Sequence, residues 1–320
     1  MLHHLRGDKR LLPTIEKATA SFKKGIALLD SPVHVLSIPF QHGVSFPAYL
    51  YMPSPGSRQG STDPIPIIII NGGLDSIQEE LYYYVAAGAR TRGYAVLTFD
   101  GPGQGLVLRK QNIPLRPDWE VVTNSAIDFI TSHAARNPSL NLDKSRISAI
   151  GASLGGYFAL RGATGDLRVK AVISVDGFFD LGAAVQARIP SWFLSLIENG
   201  WITDDTLGIW AFDVGIWCAV ASEVLREFAK YTLAPEGKDF LAKVRCPVMV
   251  TGARETLYDS PEVGSMRMYN ALTQLKESEK NIWIGTTVSD GGLQAKVAAL
   301  AVSHFRMFTW LDDQMGIVRK

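Results

Sequence analysis

The stretch Arg146-Ile-Ser-Ala-Ile-Gly-Ala-Ser-Leu-Gly-Gly-Tyr-Phe-Ala-Leu-Arg161 decides how the rest of the chain is read. Its first five residues form a short apolar run of strand length, Gly151-Ala-Ser-Leu-Gly155 follows at once, and the residues from Gly156 read as helix. G-x-S-x-G alone occurs often by chance. Between a strand and a helix it predicts a nucleophile elbow, where small neighbours permit a strained backbone that exposes the serine hydroxyl. Ser153 is therefore the candidate nucleophile, with the Leu154 N–H at the helix amino end aimed at a developing oxyanion. The plainer reading is a structural Gly-Ser turn.

Outward from this stretch, short continuous apolar runs alternate with longer amphipathic segments. Runs buried on both faces indicate a parallel sheet. Strands are expected at residues 67–70, 94–99, 146–150, 170–175, 247–251 and 281–284, with helices between them. This predicts an α/β fold, a doubly wound and mostly parallel sheet whose ligands bind beyond the carboxyl ends of the strands. Ahead of it, residues 33–40 and 45–52 read as an antiparallel hairpin around Gln41-His42-Gly43, and residues 53–64 as a surface loop. Leu11, Ile15, Ala18 and Phe22 recur at helical spacing, so residues 1–30 read as a helical arm. The core then divides into residues 31–181 and 246–320.

The interval 182–245 is too long for a simple crossover and holds four of the seven tryptophans, Trp192, Trp201, Trp210 and Trp217. It reads as an inserted helical cap over the strand ends, with these rings lining an apolar substrate pocket. For any single tryptophan, ordinary core packing is the plainer alternative.

Composition narrows the classes of function. The 320 residues carry 32 Lys plus Arg against 31 Asp plus Glu, a formal charge of +1, without the basic footprint that nucleic-acid binding requires. Two cysteines, Cys218 and Cys246, cannot build a disulfide framework or a paired-Cys zinc site. The first ten residues lack the apolar core of a secretory signal, and the apolar stretch 206–221 is broken by Asp213 and shorter than the about 20 residues a bilayer needs. The expectation is a cytoplasmic protein with neither a nucleic-acid nor a membrane partner. A homodimer stays open.

A second oxyanion donor is expected from Asn71-Gly-Gly-Leu-Asp-Ser76, after the first parallel strand, with the Gly73 or Leu74 N–H as candidate. Asp75 or Ser76 as a helix N-cap would explain the same residues.

These segments carry a resemblance. Asn71-Gly-Gly-Leu-Asp-Ser-Ile-Gln-Glu-Glu80, Phe99-Asp-Gly-Pro-Gly-Gln-Gly105, Arg116-Pro-Asp-Trp-Glu120 and Gly151-Ala-Ser-Leu-Gly-Gly-Tyr157 resemble the α/β-hydrolase branch that contains the fungal naphthopyrone hydrolases of melanin biosynthesis and the bacterial 2,6-dihydroxypseudooxynicotine hydrolase. The likeness runs from about Val35 to the last helix. It implies cleavage of a carbon–carbon bond next to a ketone by serine, acid and histidine, with no metal and no organic cofactor, on a small aromatic or polyketide substrate.

The chain departs from that pattern at two places. After the strand at 247–251, Gly252-Ala-Arg-Glu255 places Glu255 where relatives carry Asp, with Asp259 as its rival and a solvated loop charge as the alternative for either. After the strand at 281–284, relatives carry Gly-x-His-Cys-Gln, which aligns their histidine with Gly292. No histidine stands between Thr286 and Ser303. His304 follows 12 positions later, about 18 Å along a helix, and reads as a packed helix-face residue. Asp290 is the nearest ionisable side chain in sequence, and Ser-Asp-Gly-Gly also explains it as a turn former.

Without an imidazole nothing accepts the serine proton during attack, which leaves only the roughly 10³ to 10⁴-fold catalysis that an oxyanion hole and binding supply. That residue of catalysis suits enolate chemistry on a polyketide-type ketone, as in cyclisation, elimination or retro-Claisen cleavage. Two alternatives remain at this stage: a conventional serine carbon–carbon hydrolase with its base elsewhere in the chain, and a small-molecule-binding pseudoenzyme.

Overall fold

A computed structural model describes residues 9–58, 61–187, 190–199, 221–235, 239–256 and 258–318. Eight strands form one sheet: β1 (Val33–Pro39), β2 (Ser45–Tyr51), β3 (Ile65–Asn71), β4 (Ala95–Phe99), β5 (Leu142–Ala152), β6 (Val169–Val175), β7 (Val248–Ala253) and β8 (Lys280–Gly285). Their order is β1-β2-β4-β3-β5-β6-β7-β8. The leading hairpin is antiparallel and β2 pairs antiparallel with β4, whereas every later pair is parallel. The six parallel strands coincide with the expected apolar runs to within a few residues at each end.

The reason is legible in β3, Ile-Pro-Ile-Ile-Ile-Ile-Asn, where all but the first residue are buried. A strand covered by helices on both faces has no polar face to alternate with, and β-branched side chains suit the pleat. The helices are α1 (Leu11–Ile26), α2 (Ala87–Thr91), α3 (Gly105–Gln111), α4 (Glu120–Arg136), α5 (Leu154–Gly165), α6 (Leu181–Gln186), α7 (Ser191–Glu198), α8 (Ala221–Ala229), α9 (Ser265–Ala271) and α10 (Leu300–Gln314). One core face centres on α4 and α5, where Trp119 stacks on Phe158 at 3.7 Å between ring centroids. The other holds Tyr94, Met307, Phe308 and Leu311 beneath α2 and α10.

The interval between β6 and β7 contains α6, α7 and α8 among the described residues. Trp201, Trp210 and Trp217 lie outside the described residues. Trp192 is described: it sits in the first turn of α7 at 64% exposure, beside the exposed Ser191, so its ring is not core packing. No helix of the described residues is long and apolar enough to cross a membrane.

Candidate active site

Ser153 stands where β5 ends and α5 begins, with φ 55° and ψ −128°. That is a sparsely populated backbone region for a residue with a Cβ, and strain of this kind costs about 1–3 kcal/mol. The neighbours make the turn feasible: a Cβ on Gly151 would lie 1.9 Å from the Gly155 carbonyl oxygen, and one on Gly155 would lie 2.2 Å from that of Asn71. The Ser153 N–H donates to the Val175 carbonyl at 2.9 Å, which ties the turn to the end of β6. Ser153 is half-buried while Leu154 is fully buried, so the side chain sits at the rim and the helix start behind it.

The loop after β3 lies against this serine. A Cβ on Gly73 would be 3.7 Å from the Ser153 Cβ and 3.3 Å from the Ala152 carbonyl oxygen. Gly73 itself is corrected as an oxyanion donor, because its N–H already donates to the Ser76 hydroxyl at 2.7 Å. Leu74 and Leu154 remain as the two candidate donors. Two buried side chains from the segment after β4 hold this loop. Gln104 Nε2 donates to the Gly72 and Gly73 carbonyls at 2.8 and 2.9 Å, and its Oε1 accepts from the Gly101 N–H at 2.9 Å. Asp100 accepts from the Gln78 and Leu106 N–H groups at 2.8 and 3.1 Å. Burial, together with the nearby Glu79 charge, pushes the Asp100 carboxyl up to about 7.

The opposite side of the site, over β6, β7 and β8, differs from the expected acid and histidine. Glu255 has an exposed side chain, and its contribution to the fold is a backbone N–H that donates to the Gly292 carbonyl at 2.8 Å. As the candidate acid it is corrected, because the loop leaves its side chain exposed to solvent, which is the solvated loop charge weighed as the alternative. Asp290 is also corrected: it closes a turn capped by Thr287 and pairs with Arg306 at 3.0 Å near the surface. Asp259 is half-buried and lines a small cavity with Asp176, Thr256 and Gln294.

Gly292, where the resemblance places the histidine of relatives, is held closely by its own loop. Its N–H donates to the Thr287 carbonyl at 2.6 Å, and a Cβ there would meet the Thr287 carbonyl oxygen at 2.7 Å. A side chain at 292 would require the backbone of this loop to shift. Among the described residues the other histidines are engaged elsewhere or exposed. His304 Nε2 lies 2.7 Å from the Tyr84 carbonyl oxygen, His34 and His133 pack edge to face at 6.3 Å, and His42 is exposed in the hairpin turn. His3 and His4 lie outside the described residues.

A buried ion pair occupies the region instead. Lys296 has 0% exposure, and its Nζ contacts Asp176 Oδ1 at 2.8 Å, the Gly252 carbonyl at 2.7 Å and the Gly291 carbonyl at 2.9 Å. Three acceptors match the three protons of an ammonium, so this arrangement suits a charged lysine and leaves no lone pair to act as base. Burial pushes Lys296 below the ordinary lysine range, and the Asp176 charge opposes that push. Asp176 is raised by burial and lowered in turn by Lys296, the Thr251 hydroxyl and the Ala295 N–H. Lys296 follows Ala295 in the left-handed region, at φ 59° and 56°, and the Tyr84 hydroxyl donates to the Ala295 carbonyl. Sequence reading missed this pair. Asp176 stood one residue after the apolar run 170–175, the position where strand ends present functional groups, but Lys296 had no comparable signal.

Among the described residues no cluster of His, Cys, Asp and Glu could hold a metal ion. The family described as "Alpha/beta hydrolase family" matches residues 67–292, which span every element just described from β3 to the Gly292 loop. The chain belongs to the α/β-hydrolase family. It is 42% identical to the alpha/beta hydrolase psoB of Aspergillus fumigatus over 98% of this chain and 74% of the relative. It is 41% identical to the 20-hydroxy-prefusarin hydrolase FUS2 of Gibberella moniliformis over 100% of this chain and 78% of the relative. The solved 2,6-dihydroxy-pseudo-oxynicotine hydrolase superposes with a TM-score of 0.71 at 23% identity, over 96% of this chain and 75% of that one, which is a likeness of fold. The chain is thus an α/β-hydrolase-fold, hydrolase-like enzyme.

Proposed function

We propose that this α/β-hydrolase acts on an aromatic or polyketide ketone of secondary metabolism and works by stabilising an enolate oxygen, without a Ser-His-acid relay. The observation that carries this reading is the contrast at one site: a nucleophile elbow with its loop after β3 held in place, beside a glycine loop at 292 that carries no histidine and crowds a side chain there. The Leu74 and Leu154 N–H groups are the donors. Ser153 donates a hydrogen bond or positions the ketone. Preorganised N–H donors lower the energy of charge that develops on a carbonyl oxygen, and this needs no proton relay. The names of the fungal relatives support only the coarser part, a hydrolase-like enzyme of secondary metabolism, since FUS2 is named a 20-hydroxy-prefusarin hydrolase and the 38% identical poxO of Penicillium oxalicum a hydrolyase.

Turnover of a reactive aromatic polyketone by wild type and by Ser153→Ala, with intact-mass analysis during the reaction, tests the reading. The expected result is a loss of about tenfold to a hundredfold, the size of one hydrogen bond to a charged group, and no adduct on the wild type. A loss near 10⁶-fold together with a serine adduct would restore covalent catalysis by Ser153 and defeat the proposal.

A further inference from the structure

We propose that Gln104 is the positioning residue of the oxyanion hole: by holding the Gly72 and Gly73 carbonyls it turns the Leu74 N–H toward the substrate oxygen above Ser153. This rests on the enolate-stabilising reading above and adds the residue that sets the donor's direction.

Peptide geometry leads to it. Across a trans peptide the carbonyl of one residue and the N–H of the next point in opposite directions, and the described chain contains no cis peptide. Gln104 Nε2 sits 2.8 Å from the Gly72 oxygen and 2.9 Å from the Gly73 oxygen, so it draws two successive carbonyls to one side of the loop. The N–H groups of Gly73 and Leu74 are thereby turned to the other side. The Gly73 N–H is consumed by the Ser76 hydroxyl, whereas no described residue accepts from the Leu74 N–H. The loop's other side abuts the elbow, with the Gly73 Cβ direction meeting Ala152 and Ser153.

Gln104 is itself rigidly placed. It is 2% exposed, and its Oε1 is fixed by the Gly101 N–H at 2.9 Å. One amide thus uses its acceptor on its own segment and both donors on the loop it orients, which no hydroxyl or carboxylate could do. Glycines at 72 and 73 let the backbone approach the amide, and they also leave the peptide between Gly73 and Leu74 free to rotate once the amide is removed. Asn71 is held separately, by the Trp119 Nε1 donating to its Oδ1 at 2.9 Å, so the start of the loop does not depend on Gln104.

The test uses 1-phenylbutane-1,3-dione, whose enolate absorbs at a longer wavelength than its neutral form. Its ionisation is titrated when bound to wild type, Gln104→Leu and Gln104→Glu, and crystal structures of the three are compared. Gln104→Glu keeps the size and the acceptor for the Gly101 N–H but loses the donors. Wild type should favour the bound enolate by tenfold or more, equal to at least one unit in its apparent ionisation. Both variants should lose most of that preference while binding the neutral dione within about threefold of wild type, and their structures should show the peptide between Gly73 and Leu74 rotated. A loop with its wild-type orientation in Gln104→Leu and Gln104→Glu would overturn the proposal, as would an undiminished enolate preference in folded variants. A wild type that leaves the dione ionising as in water would instead defeat the enolate-stabilising reading, whatever the peptide does in the variants.

Discussion

Asp100 and Asp176 follow β4 and β6, and both are buried, at 2% and 5% exposure, yet the two sides of the site use them in opposite ways. Asp100 accepts two backbone N–H groups and faces the Glu79 charge, so burial wins and its carboxyl is pushed up to about 7. Asp176 has Lys296 at 2.8 Å, and the two buried charges compensate each other. On the Asp100 side the fold holds the loop after β3 in one direction through Gln104 and Asp100. On the Asp176 side the fold holds an ion pair whose lysine has spent all three protons. The comparison teaches that a buried aspartate at a strand end can be accommodated either by a raised carboxyl or by a paired cation.

The largest effect should come from breaking the pair. Lys296→Met leaves Asp176 buried without its cation, which typically costs about 3–5 kcal/mol. Urea unfolding should show that loss, and the double change Lys296→Met with Asp176→Leu should recover a good part of it. A single variant within 1 kcal/mol of wild type would mean that water, and not Lys296, compensates Asp176.

Asp100 provides the next. Its folded value of about 7 lies above the roughly 3.9 of an unfolded aspartate, so between those values the folded state binds more protons than the unfolded one. Its contribution therefore favours folding at low pH and is lost as pH rises from about 4 to about 8, by up to about 4 kcal/mol. Unfolding free energies of wild type and Asp100→Asn across that range should differ in slope, with the steeper fall in wild type. Parallel curves would remove Asp100 from the pH response and erase the contrast with Asp176.

The smallest effect concerns Gly292. Gly292→His should not restore a relay, because the first side-chain carbon already meets the Thr287 carbonyl oxygen at 2.7 Å. Relief of that overlap should cost about 1–3 kcal/mol, and labelling of Ser153 by a fluorophosphonate should stay slow. Fast labelling in this variant would show that the loop can return to a histidine-bearing form, and that the two halves are less independent than the structure makes them.

The parallel sheet, the elbow at Ser153 and the absence of a histidine at 292 followed from the sequence alone, because each depends on local facts. A buried strand needs an unbroken apolar run, an elbow needs small residues next to its serine, and a missing imidazole is visible in any alignment of letters. The misreadings arose where a role depends on direction. Gly73 was one of two candidate donors until the tertiary structure turned its N–H to Ser76, and Glu255 was a candidate acid, weighed against a solvated loop charge, until the loop left it exposed. Lys296 is a lysine like 13 others by its letter. Only the convergence of β6, β7 and β8 with a left-handed turn brings Asp176 and two carbonyls around it, from positions up to 120 residues apart, and sequence periodicity carries no record of contacts at that separation.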